Sequence, residues 1–359
     1  MIETRSPVPR AGILDVPLYP GALLPEPIPG TIKLNSNENL FGPSPNVYEA
    51  IRAELRRGEL QYYPAVEART LNVALAAHYG LESDNVLTMG GGELLLPTIL
   101  QTFVHPDCEI LCYNDGFPKY LNYSLMATAS LITVSREGDA VSQILGALTP
   151  RTTAVLIDNP GNPSGRLLPI EDVRAIWQNL RSDILLILDE AYVEYCDFGD
   201  AGLRLATETE NTLVVRTFSK AYALAGMRVG WVNGHINLIR PLRRILPSFP
   251  LSRLSLVSAL AALADQDHLK RSVAELRCLR DDAASRFQRA GWDVGPCEGN
   301  FIVIRRGIHT SDDLGRVFSS LKDGGVLVRP LSEFRGESAL RMTIGRAVDM
   351  ARVWDLLRI

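Results

Sequence analysis

The sequence predicts an α/β protein: a large domain with a mostly parallel sheet flanked by helices, followed by a smaller α+β domain. Three observations carry this. From residue 85, short apolar runs alternate with segments of helical period. The runs are continuously apolar, as in strands covered on both faces. After Leu246-Pro247-Ser248-Phe249-Pro250 the alternation stops, and a long amphipathic segment opens a different pattern.

Residues 1–34 are rich in Pro and Gly and lack periodicity, which reads as an arm lying on the surface or on a partner subunit. The Asn-rich run from Leu34 to Asn39 favours side-chain-to-backbone turns, and Ser44-Pro45 caps a helix over 46–57. Residues 66–79 are helical. Strands are expected at 85–88, 109–113, 131–134, 153–158, 184–189, 213–217 and 229–232, with helices at 94–103, 117–127, 141–148 and 170–180. This defines a large domain over 35–250 and a small one over 251–359. In the small domain, Leu269, Val273, Leu276, Leu279, Ala283 and Phe287 form one stripe on a helix over 267–290. Strands at 301–304, 326–328 and 340–344 and helices at 311–321 and 348–357 complete it.

The 359 residues carry a net charge of −4, so nothing electrostatic favours nucleic acid or an anionic membrane. The N-terminus has no signal-peptide core and no run reaches membrane-spanning length, which points to the cytoplasm. The cysteines are five and scattered, as expected of reduced thiols. Cys108 and Cys112 flank an apolar run with no finger-like partner pair, and read as buried thiols rather than metal ligands.

Four motifs carry chemistry. Gly90-Gly91-Gly92-Glu93 joins a strand to a helix and suits an anion at a helix N-terminus. It also reads as a plain tight turn, or as the start of a dinucleotide fingerprint with Asp115 as the ribose acid, although Leu95 stands where that fingerprint needs Gly or Ala. Asn159-Pro160-Gly161-Asn162-Pro163-Ser164-Gly165 fixes an irregular loop that presents Asn162. Asp189 ends a buried-type strand and needs a cation or donor, unless it caps a helix; Tyr192 follows three residues on. Lys220 lies between hydroxyl residues Thr217 and Ser219 on one side and Arg228 on the other; a solvated turn is the alternative. One ligand uses all of these together. In pyridoxal 5′-phosphate the aldehyde takes a lysine, the phosphate takes the glycine turn and Arg, the ring nitrogen takes a carboxylate, and the phenolate takes Asn and Tyr donors.

The chain therefore resembles the fold-type I (aspartate-aminotransferase-like) pyridoxal-phosphate aminotransferases, and within them the histidinol-phosphate aminotransferases. The resemblance runs from Tyr19-Pro20-Gly21 to Leu340-Arg341-Met342-Thr343-Ile344-Gly345. It implies that Lys220 bonds the cofactor aldehyde, Asp189 pairs with the ring nitrogen, and Tyr192 and Asn162 hold the phenolate oxygen. Gly91, Gly92, Thr217, Ser219 and Arg228 would hold the phosphate, and Phe117 would stack on the ring, where the family usually has Tyr. Tyr63 would reach the partner's cofactor across a homodimer. Arg341 would clamp the substrate carboxylate, Arg329 its distal phosphate unless it forms only a surface ion pair, and Tyr19 would also touch substrate.

The implied reaction is ping-pong transfer of an amino group, with histidinol phosphate or imidazole-acetol phosphate as the first expected substrate and glutamate/2-oxoglutarate as the second. Tyr62 stands where the family commonly has Arg, and Pro250 where it has Asn. These departures keep open an aminotransferase for an aromatic or specialised-metabolite amino acid; a phospho-amino-acid decarboxylase on the same scaffold, which would also use Lys220, Asp189 and Arg341, is a second alternative.

Overall fold

The structure is a computed structural model that describes residues 13, 14, 16, 30–295, 297–334 and 336–359. The described chain begins with β1 (Ile32–Leu34), α1 (Pro45–Arg57) and α2 (Arg69–Tyr79). An alternating series follows: β2 (Val86–Met89), α3 (Gly92–Phe103), β3 (Glu109–Tyr113), α4 (Tyr120–Met126), β4 (Ser130–Val134), α5 (Ala140–Gly146), β5 (Thr152–Asp158), α6 (Ile170–Asn179), β6 (Leu185–Asp189), α7 (Ala201–Glu208), β7 (Thr212–Thr217) and β8 (Gly230–Gly234). The remainder comprises α8 (Ile236–Ile245), α9 (Arg253–Ala264), α10 (Gln266–Arg289), β9 (Asp293–Val294), β10 (Phe301–Arg305), α11 (Ser311–Asp323), β11 (Val326–Phe334), β12 (Glu337–Thr343) and α12 (Ala347–Leu357).

Seven strands form one sheet in the order β2-β8-β7-β6-β5-β3-β4. Strands β7, β6, β5, β3 and β4 pair in parallel, whereas β8 runs antiparallel to both neighbours. Period-2 alternation sends side chains to opposite faces. Val155, Ile157, Leu186, Leu188 and Val214 enter one core cluster; Ala154, Leu156, Leu185, Ile187, Leu213 and Val215 enter another. Apolar burial on both faces explains why these strands read as unbroken apolar runs. The next residues on the second face are Asp158, Asp189 and Thr217, so three polar groups emerge together at the C-terminal ends of adjacent strands.

A second sheet has the order β1-β11-β12-β10-β9, antiparallel except for the β1–β11 pair. Residues 32–34 were expected in the N-terminal arm, but they form the edge strand of this sheet, in register with Val326–Val328. The expected helical stripe survives in α10, where Leu269, Leu276, Ala283 and Phe287 are buried. Helices α7, α8 and α9 went unread. Pro241 lies inside α8 and argues against a helix there, while α9 buries Ser255, Ser258, Ala259 and Ala262 as well as leucines and so shows no clean apolar stripe.

Gly230 opens β8 opposite Met89, hard against the glycine turn. A Cβ there would lie 2.8 Å from the Gly91 carbonyl carbon and the Gly92 nitrogen, both backbone atoms with no room to yield. Gly230→Ala is expected to cost about 2 kcal/mol of stability through overpacking, read as a lowered urea midpoint; an unchanged midpoint would mean that the turn and the strand are not in contact.

Candidate active site

The three strand-end groups open into a cavity of about 430 Å³. Its lining includes Gly92, Phe117, Asn162, Asp189, Tyr192, Thr217, Ser219, Lys220, Arg228 and Arg341, so the structure gathers ten of the expected residues in one place. Their positions follow from local structure. Beyond β7 the chain turns tightly: the Phe218 amide donates to Val229 O (3.0 Å) and the Leu224 amide donates back to Phe218 O (2.9 Å). Buried Phe218, Ala221 and Leu224 wedge this turn into the core, which points Lys220 inward.

The Lys220 amine donates to Ser36 O at 3.2 Å and lies 5.6 Å from the centre of the Tyr192 ring. Burial, then the Arg341 cation, push its pKa down from 10.5 to about 8; Glu38 and Glu93 oppose this. Arg228 also lowers it, but only as a minor contributor beside burial and Arg341. Asp189 is buried at the end of β6, accepting from the Tyr120 hydroxyl (3.0 Å) and the Ala191 amide (3.2 Å). Burial, then the neighbouring Asp158 carboxylate, push it up to about 7. An α-helix does not follow Asp189 directly; the Ala191 contact is a local turn.

The Tyr192 hydroxyl accepts from Asn162 Nδ2 (3.1 Å) and Asn37 Nδ2 (2.9 Å). Arg341, on β12, donates to Asn162 Oδ1 (2.7 Å) and Asn35 O (2.9 Å). At the other end, Gly91 (φ 93°) caps α3, and a Cβ on it would meet the Arg228 guanidinium at 2.9 Å. Arg228 itself reaches Glu93 at 3.4 Å, while Thr217 Oγ1 accepts from the Ser219 amide (3.0 Å). Free helix amides, two hydroxyls and a guanidinium thus surround one end of the cavity.

Other expected residues lie elsewhere. Tyr63 is exposed and stacks on Phe249 (4.3 Å), outside the cavity of its own chain. Arg329 lies directly across the β11–β12 pair from Arg341, beside the cavity rather than in its lining. Tyr19 lies outside the described residues. Asp115 is no ribose ligand: it is buried against Arg136 at 3.0 Å, which overturns the dinucleotide reading. Sequence reasoning missed Ser36, Asn37, Tyr120, Arg136 and Asp158 as parts of the site. Asn37 was visible inside the Asn-rich run singled out for its turns; the lone Arg136 gave no signal.

A buried amine of lowered proton affinity faces a buried carboxylate across a room with an anion cradle at one end and an arginine at the other. Fold and site together describe an α/β protein whose main cavity is built around a buried lysine. The family model for aminotransferase class I and II matches residues 29–357, and the chain belongs to that family. It is 32% identical to the histidinol-phosphate aminotransferase of Rhodopseudomonas palustris strain HaA2, over 94% of each chain, and 32% identical to that of strain TIE-1, over 98% of each. The crystal structure of Sinorhizobium meliloti histidinol-phosphate aminotransferase in complex with pyridoxal 5′-phosphate superposes with a TM-score of 0.88 at 27% identity, covering 99% of both chains.

Lys220 gives a direct test of this electrostatic picture. The folded pKa (about 8) lies below the unfolded value (10.5), so the unfolded chain binds the extra proton between these pH values. The burden on the fold is full below pH 8, at about 3 kcal/mol, and vanishes as pH rises to 10.5. Ligand-free Lys220→Met protein is therefore expected to resist urea better than the parent at pH 7 and to lose that advantage by pH 10. Equal midpoints at pH 7 would mean that the amine is solvated.

Proposed function

We propose that the protein is a pyridoxal 5′-phosphate-dependent aminotransferase acting on histidinol phosphate and imidazole-acetol phosphate, with glutamate and 2-oxoglutarate as the second pair. The carrying observation is the placement of the Lys220 amine, Asp189 carboxylate and Arg341 guanidinium around one cavity. The donor set fits the cofactor. Lys220 is disposed for the aldehyde, Asp189 for the ring nitrogen, Asn162 and Tyr192 for the phenolate oxygen, and Phe117 for a ring face. Gly91, Gly92, Thr217, Ser219 and Arg228 suit the phosphate. When bound, the cofactor supplies an electron sink for the carbanion left by loss of the Cα proton.

The residues do the rest. Lys220 is part-way to its neutral form near pH 8 and so can accept and return a proton at its Nζ. Asp189, with a raised proton affinity in the ligand-free site, ionises against a cationic ring nitrogen, since an opposite charge favours the carboxylate. Arg341, fixed by Asn162 and Asn35, presents its guanidinium to the substrate's anionic group, the carboxylate of glutamate or the phosphate ester of histidinol phosphate.

The substrate reading is supported by the second arginine. Cross-strand partners share a face, and like charges in that position repel. Arg329, opposite Arg341, places a second guanidinium on that face, which suits the multiply charged phosphate ester of such a substrate. The dimer belongs to the same reading: Tyr62, Tyr63 and Phe249 are exposed together, and Tyr63 is assigned to the partner's cofactor phosphate. The cytoplasmic assignment accords with five free cysteines.

Mixing holoenzyme with histidinol phosphate is expected to convert the visible cofactor band to that of the amine form, with 2-oxoglutarate restoring it. Arg329→Gln should raise KM for the phosphorylated amine by about 10- to 100-fold, the value of one charge-assisted contact, and leave a phosphate-free amine largely unaffected. Conversion by phenylalanine alone would replace the substrate, and stoichiometric CO₂ release would replace the reaction.

A further inference from the structure

A buried triad lies directly behind the Asp189 wall of the cavity. Arg136 bridges Asp158 (2.7 Å) and Asp115 (3.0 Å), with all three side chains at most 5% exposed. Its guanidinium stacks over Tyr113 at 4.4 Å and donates to the backbone oxygens of Asp158 (3.1 Å) and Arg166 (3.4 Å), the two ends of the Asn162 loop. A Cβ on Gly161 would lie 3.0 Å from the same guanidinium, so the loop folds closely over it. On its other oxygen, Asp158 accepts the backbone N–H of Asn162 at 2.8 Å. Asp158 also sits in register beside Asp189 on the adjacent parallel strand and lines the cavity.

We propose that Asp158, fixed by Arg136, is a positioning residue of the site: it anchors Asn162 from behind and sets a second buried carboxylate beside Asp189. The geometry gives it both roles at once. Asn162 in turn touches the Tyr192 hydroxyl and Arg341, so the anchor reaches the groups disposed around the ring and the substrate. Two carboxylates share one guanidinium here, and Asp158 carries its negative charge to the cavity lining. That charge favours cations inside the cavity, among them the nitrogen joining Lys220 to its cofactor. The titratable groups facing Asp158 are Arg136, Asp115, Asp189, Cys112, Tyr120 and Tyr192. Burial holds the Cys112 thiol and the Tyr192 hydroxyl up at about 12, and Tyr120 is also raised, so these three stay neutral in the working range.

The inference rests on the cofactor reading above, and the test separates the two. In the holoenzyme, the visible band of lysine-bound cofactor is titrated with pH. Removing a negative charge disfavours the protonated nitrogen, so Asp158→Asn is expected to lower the midpoint by about one unit. Asp115→Asn, which leaves the Asn162 anchor in place, should lower it by less, and it carries the test should Asp158→Asn not fold. A purely structural role would lower thermal stability in both variants and move neither midpoint. A band present in folded variants with an unshifted midpoint overturns this inference alone; no reducible band in the parent protein overturns the cofactor reading and this inference with it.

Discussion

The hydrogen bond from Arg341 to Asn162 ties the molecule together at its working centre. Arg341 belongs to the five-stranded sheet and Asn162 to a loop at the edge of the seven-stranded one, 2.7 Å apart. The segment Asn35–Asn37 runs between them. It gives its carbonyls to Arg341, Lys220 and Asn300 and its Asn37 side chain to Tyr192, while its Asn37 amide donates to Thr343. Each contact joins elements far apart in sequence, so the cavity exists only when both sheets are folded and in place.

Two groups in that cavity are held away from their preferred ionisation. Lys220 is driven toward its neutral amine and Asp189 toward its neutral acid by the same cause, loss of water. Burying each costs the fold stability, and the cofactor proposed above would relieve it by giving the amine a covalent partner and the carboxylate a cation. Ligand binding and stability are therefore linked here by mass action.

Much of the site was legible because its residues follow strands whose apolar runs are unmistakable. Asp189 is the last residue of the run 184–189, and Lys220 follows the run 213–217 by three residues. What the sequence concealed has a physical pattern. The reversal of β8 leaves no trace in composition, since a strand buried on both faces is equally apolar in either direction. The pairing of β1 with β11 joins residues nearly 300 positions apart and has no local signature. Arg136 follows an ordinary strand, and its two carboxylates come from the loop after β3 and the end of β5. Asn37 was read as a turn former, which its left-handed backbone (φ 54°) bears out, but its side chain is committed to Tyr192.

The facing arginines on β11 and β12 also have a bearing on descent. The groups assigned to the cofactor project from the loops of the seven-stranded sheet, whereas Arg329 and Arg341 stand on neighbouring strands of the other. A strand position can change its side chain without altering the ladder that holds it, because the ladder is made by backbone groups. Position 329 can thus drift among residue types while Lys220, Asp189 and the glycine turn stay untouched. Such a division lets one inherited reaction centre be offered new partners one strand residue at a time.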